Sequence, residues 1–164
     1  MSAQGEEIAL LGAADPAPVE WVNPGSAAPV LLLCEHAGQA VPSRLDGLGL
    51  PPGALDGHIG CDIGAEALAR AVAESLGAPL VIQRYSRLVI DCNRPPDTGQ
   101  SVPEVSDGVV VPANAGATPA ERAARRREIF DPLDQAIAEG FARHPRRAAF
   151  SIHSFTPAMN GQAR

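Results

Sequence analysis

The chain predicts an α/β fold, one domain built on a mixed, mostly parallel sheet with helices on both faces. Short continuous apolar runs at 29–34, 79–82, 88–90 and 148–152 suit strands covered on both sides. Segments of helical period lie between them, so successive strands are joined through helices, which favours parallel pairing. The length of 164 residues suits a single domain, and 45% apolar with 20% charged residues suits a globular chain with a sizeable core. Aromatics are only 4%, so that core is mostly aliphatic.

Each element has its own signal. Residues 1–28 lack periodicity and are rich in Ala, Pro and Gly, which predicts a flexible arm pinned to the body by Trp21, with the domain proper over 29–164. The run 29–34 is the first strand, and 41–53 reads as a loop with one helical turn. A helix is expected over 62–77, with Asp62 capping its first turn and Gly77 ending it in the left-handed conformation. Leu68, Val72 and Leu76 would form its apolar stripe. The runs 79–82 and 88–90 are expected to be strands, antiparallel because the connection between them is short. Residues 95–117 read as a long loop. Thr118-Pro119-Ala120-Glu121 is a capping box that opens a helix to about Arg143, kinked or broken at Pro132. The final strand, 148–152, ends at His153-Ser154.

Charge and composition exclude several classes. A net charge of −6 argues against a phosphate-backbone binder, so no nucleic-acid partner is expected. Arg125-Arg126-Arg127 looks basic, but consecutive helical residues point apart and Glu121 and Glu128 flank them, which predicts a solvated face. No apolar run approaches the roughly 20 residues of a membrane helix, and the N-terminus has no basic region preceding an apolar core. The odd number of cysteines, Cys34, Cys61 and Cys92, predicts reduced, buried thiols and a cytoplasmic location.

Chemistry-bearing residues cluster where apolar runs stop. Glu35-His36 follows the first strand, Asp91-Cys92-Asn93-Arg94 the third, and His153-Ser154 the last. In open α/β sheets the ligand sits beyond the carboxyl ends of the strands, so parallel strands would bring these clusters to one rim. His36 and His153 are then natural zinc ligands, and a carboxylate would complete a set of three. Glu35 neighbours His36 and points to the opposite face; Asp62 and Asp91 are the other candidates. Arg87 and Arg94 are candidate anion clamps, with Asn93 as a neutral donor, and together they suggest an acidic substrate with a carbonyl to be attacked. His58 reads as a surface-loop residue and His144 as a solvated residue at a helix C-terminus. Cys34 raises a thiol-hydrolase alternative, although a Cys ending an aliphatic run reads more readily as a small core residue.

Four blocks carry a family resemblance: Cys34-Glu35-His36-Ala37-Gly38-Gln39-Ala40-Val41-Pro42, His58-Ile59-Gly60-Cys61-Asp62-Ile63-Gly64-Ala65, Tyr85-Ser86-Arg87-Leu88-Val89-Ile90-Asp91-Cys92-Asn93-Arg94-Pro95 and Ile152-His153-Ser154-Phe155-Thr156-Pro157. In this order and spacing they resemble the N-formylglutamate amidohydrolase family. The resemblance implies metal-dependent hydrolysis of N-formyl-L-glutamate, or a related N-acyl acidic amino acid, to formate and glutamate, a late step in some routes of histidine breakdown. It implies a three-layer fold similar to zinc carboxypeptidase-like (phosphorylase/hydrolase-like) folds, and Zn2+ or another divalent metal as cofactor. Carried over by position, His36 and His153 become metal ligands, Arg87 the oxyanion stabiliser, and Asn93 with Arg94 the carboxylate clamp. Where carboxypeptidase-like relatives place a ligand Glu, three residues after the first His, this chain has Gln39, so Asp62 is expected to be the third ligand. Full-length family members run well past the last block, so the C-terminal part of the family domain and its general-base Glu are expected to be missing. A chain cut there would expose an unpaired sheet edge, which predicts self-association. The alternatives are a non-catalytic truncated paralogue that binds an acidic ligand or a partner chain and, after it, a Cys34-based amide hydrolase.

Overall fold

The structure, a computed structural model, describes residues 8–159 and 161–163. The central sheet has four strands: β1 (Val19–Val22), β2 (Val30–Cys34), β3 (Leu80–Gln83) and β6 (Ala148–Ser151), in the order β1-β3-β2-β6. β2 runs parallel to both β3 and β6, and β1 is antiparallel to β3, so the sheet is mixed and mostly parallel. Two short hairpins lie outside it, β4 (Val105–Ser106) with β5 (Val109–Val110), and β7 (Ala158–Met159) with β8 (Gln162–Ala163).

Alternation along the strands sorts the core into two sides. Leu32, Cys34, Leu80 and Ile82 pack with Ala65, Ala69 and Ala73 of α1 (Ala65–Leu76). Leu31, Leu33 and Val81 pack with Leu133 and Ala136 of α4 (Asp131–Arg143). The sheet therefore carries a helix on either face. A third cluster, built on Tyr85, Leu88, Val89 and Ile90, lies beyond the strand ends and beneath the 3-10 turn Ser43–Gly49.

Several expectations need correction. Val19–Val22, placed within the arm, is an edge strand, and Trp21 on it packs against the α4-side core while the Arg143 guanidinium lies 5.1 Å from its ring centroid. The run 88–90 is no strand, and the antiparallel member of the sheet is β1 instead. Its backbone is satisfied by side chains: Asn114 Nδ2 donates to Leu88 O at 2.8 Å, and Arg125 donates to Val89 O at 3.0 Å. A buried segment needs partners for its carbonyls, not a particular ladder. Arg125 is consequently fully buried, against the solvated face expected for it.

The buried stripe of α1 is Ala65, Ala69 and Ala73, while Leu68 and Leu76 are exposed. Small side chains let the helix sit close on the sheet, and this outweighs the larger apolar area on the other face. Asp62 lies before α1, whose N-cap is Gly64 and has no side-chain cap; the Asp62 carboxylate turns elsewhere. The long helix is α3 (Pro119–Arg125), a π-helical segment (Arg126–Phe130) and α4, all helical in backbone dihedrals at the junctions. Pro132 falls in the first turn of α4, where the widened π turn accommodates its missing N–H. The Thr118–Glu121 capping box forms as expected. No helix among the described residues is long and apolar enough to cross a membrane.

Candidate metal centre

β2 and β6 are parallel neighbours and both end at the same rim, so His36 and His153 project from adjacent strand tips. Asp62 reaches the same point from the segment before α1, whose backbone is tied to the β2 tip by the Asp62 N–H donating to His36 O at 2.9 Å. Ligand atoms of His36, Asp62 and His153 lie within 4.8 Å of one another. The two imidazole centroids are 5.0 Å apart. Asp62 Oδ2 is 2.8 Å from His153 Nδ1 and 3.6 Å from His36 Nδ1. At 3.6 Å the second pair is no hydrogen bond, and His36 Nδ1 is a buried nitrogen without a partner among the described residues.

Asp91 stands behind the first histidine. Its Oδ1 is 2.7 Å from His36 Nε2, and the Asn93 backbone N–H donates to it at 3.0 Å. Arg87 bridges the two buried carboxylates, donating to Asp62 Oδ1 at 3.2 Å and to Asp91 Oδ2 at 3.0 Å. Asn93 Nδ2 lies 3.4 Å from His153 Nε2. The Arg94 guanidinium is exposed and has no ion pair or hydrogen bond among the described residues; only its backbone N–H is engaged, donating to Asp91 O at 3.2 Å. His36, Asp62, Arg87, Asn93 and His153 therefore meet on one rim, and of Arg94 only the backbone is tied to it.

The electrostatics follow from burial and proximity. Burial works against the charged form of Asp62, but His36, His153 and Arg87 outweigh it and hold the carboxyl down at about 2. Asp91 is likewise buried, yet His36, Arg87 and the Asn93 N–H lower it. Burial disfavours the His36 imidazolium, but the Asp62 and Asp91 carboxylates prevail and raise its pKa. The site thus holds two buried anions around one buried imidazole with a free ring nitrogen. That donor set, two imidazoles and a carboxylate, can hold a divalent cation. Asp91 behind His36 adds the second-layer carboxylate that metal-binding imidazoles commonly have.

Other candidates separate from this group. Gln39 turns its amide to Leu55 O at 3.2 Å and Cys61 Sγ at 3.3 Å. His58 pairs with Asp107 at 2.6 Å, away from the rim. All three cysteines are free, with Cys34 and Cys61 buried. Burial, with Glu35 and Asp62 nearby, pushes the Cys34 thiol up to about 12, and its sulfur lies 3.5 Å from Ile152 O. A nucleophilic cysteine needs its thiolate, which this burial disfavours at Cys34.

Two residues at the site went unassigned in the sequence. Ser151 Oγ lies 2.8 Å from His153 Nε2 and also bonds Glu35 Oε2. Glu35 does point away from His36, as strand alternation requires, and this puts it on the Ser151 side of the sheet. Only the β2–β6 register reveals that contact; no local motif signals it.

No protein of curated function matches the chain. Its structure resembles the crystal structure of a gene product from Agrobacterium tumefaciens, with a TM-score of 0.89 and 37% sequence identity over 94% of this chain and 63% of the other. The chain thus spans less than two thirds of the length of that relative. Residues 28–164, which include both imidazoles, the intervening carboxylates and the arginines of the rim, match the N-formylglutamate amidohydrolase family, and the chain belongs to that family.

Proposed function

We propose that this domain serves metal-dependent hydrolysis of the amide of N-formyl-L-glutamate or a related N-acyl acidic amino acid, giving formate and glutamate. The observation that carries the reading is the convergence of His36, Asp62 and His153, with the buried Nδ1 of His36 left free for a cation. Zinc, the ion that such a set suits best, would supply Lewis-acid polarisation of the carbonyl and an activated water. His36, Asp62 and His153 hold the ion, and Asp91 keeps the His36 ring in orientation. Arg87, fixed by Asp62 and Asp91, keeps guanidinium N–H groups for the oxyanion that develops on the attacked carbonyl. Arg94, free of internal partners among the described residues, pairs with the substrate carboxylate, and Asn93 orients it beside His153. A mostly parallel sheet with a helix on either face supports a three-layer zinc carboxypeptidase-like fold, to which β1 contributes from before residue 29.

The test is metal content with turnover. Purified protein is expected to hold one zinc and to release formate from N-formylglutamate. His36→Ala and His153→Ala are each expected to remove the metal; stoichiometric zinc in both variants would refute the assignment. A second reading is a domain that binds the acidic ligand without turning it over. It is favoured by the engagement of every carboxylate at the rim: Asp62 and Asp91 with Arg87 and the histidines, and Glu35 with Ser151. None of them is placed to relay a proton freely. Calorimetric binding of N-formylglutamate with no formate release would favour this second reading.

A further inference from the structure

The two imidazoles are held in the same way by different means. His36 is gripped directly by a carboxylate on Nε2, which leaves Nδ1 toward Asp62. His153 also turns Nδ1 toward Asp62, yet its Nε2 meets no carboxylate at hydrogen-bond distance, since Glu35 Oε2 is 3.7 Å away. Between them stands the Ser151 hydroxyl, 2.8 Å from Nε2 and bonded to Glu35.

Proton counting settles the direction of this chain. A carboxylate only accepts, so the single Ser151 proton goes to Glu35. The Ser151 oxygen then faces His153 as an acceptor, and the proton of that contact belongs to Nε2. The Asn93 amide, 3.4 Å from the same nitrogen, offers its oxygen when turned by 180°. With Nε2 protonated, Nδ1 is the ring nitrogen a metal would take, replacing the proton that Nδ1 shares with Asp62 Oδ2 at 2.8 Å. We infer that Ser151 and Glu35 form a positioning relay that fixes His153 as an Nδ1 ligand, the counterpart of Asp91 on His36. The inference rests on the metal reading above.

The register makes the relay a product of the sheet. Leu33 pairs with Ser151 across β2 and β6, so Glu35, two residues on from Leu33, shares a face with Ser151 and overhangs it at the strand end. Glu35 is buried while Ser151 sits on an exposed edge strand, so substitution of the serine removes the bridge with little loss of packing.

The experiment uses the full chain and zinc alone. Zinc affinity is measured by competition with a chromophoric chelator, and the protonation of His153 is read from nitrogen-15 shifts of the zinc-loaded protein. Ser151→Ala is expected to weaken zinc about 10- to 100-fold, the usual loss for such outer partners. Ser151→Thr, which keeps the hydroxyl, is expected to restore affinity. The wild type is expected to show a proton on His153 Nε2 and a metal-shifted Nδ1, with the two nitrogens mixed in Ser151→Ala. Should Ser151→Ala fail to fold, Glu35→Leu, which removes the acceptor of the Ser151 proton, reads the same loss. Unchanged zinc affinity in both variants, or coordination through Nε2 in the wild type, overturns the relay alone. Absence of zinc binding by the wild type, or its retention in both His36→Ala and His153→Ala, overturns the metal reading and the relay with it.

Discussion

Asp62 concentrates the chemistry of the rim, since it faces both imidazoles and one guanidinium. Its carboxyl is held at about 2 against an ordinary 3.8. In the metal-free protein this contributes stability above pH 3.8 that is lost as pH falls through about 2, on the order of 2 kcal/mol. His36 has the opposite sign: its raised pKa contributes stability that is full below pH 6.5 and is lost as pH rises through the folded value. Denaturant melts of metal-free protein are thus expected to show the largest site contribution between roughly pH 4 and 6.5. Asp62→Asn is expected to flatten the acid limb, and an unchanged limb would contradict the assignment. Asp91→Asn weakens the hold on the His36 ring and on Arg87 together, and a chelator competition assay is expected to report about 10- to 100-fold weaker zinc. His36, Asn93, Arg94 and His153 stood out in the sequence because each closely follows an apolar run, whereas Asp62 and Arg87 stood out through their blocks of family resemblance. The pairing of Ser151 with Glu35 did not, because their contact depends on register and not on local order.

At the scale of the element, the loop after β3 is held by what approaches it. A Cβ on Gly38 would lie 2.0 Å from the Arg84 carbonyl carbon, so Gly38→Ala forces apart the segments that carry His36 and Arg87. A thermal melt is expected to report a loss of about 2 kcal/mol or more, and metal binding is expected to weaken with it. Arg125, buried with desolvation lowering its pKa to about 10, bonds Val89 O, Ala113 O and the Asn114 side chain. Arg125→Ala leaves these groups unpaired beside a cavity, and about 3 kcal/mol of destabilisation is expected in urea melts. The strand expected over 88–90 failed for this reason. β-branched content reports burial, and side chains distant in sequence supplied the hydrogen bonds that a ladder would have made. Of the expected α1 stripe only Val72 packs on the core, because the helix otherwise buries its small face. Leu68→Ala is therefore expected to be near neutral, whereas Ala69→Leu is expected to cost about 1–3 kcal/mol by overpacking against the sheet.

At the scale of the molecule, β6 pairs with β2 on one side only among the described residues, and Phe150 on that edge strand is 56% exposed. An unpaired edge with apolar neighbours favours strand addition. Concentration-dependent association is expected in sedimentation velocity, and Ala149→Pro at the edge is expected to shift the chain toward monomer. A cooperative melt of a strictly monomeric wild type would contradict this. The sequence by itself determined the class of fold, the strand tips and the chemically capable residues at them, because apolar runs and polar stops are local properties of the chain. Tertiary structure alone decided which tips are neighbours, which carboxylate turns inward, that an edge strand comes from the first 28 residues, and which serine stands behind the second imidazole. Those outcomes rest on strand register, which pairs Val30 with Ala148, and on hydrogen-bond demand between distant residues, and neither is written into any local stretch.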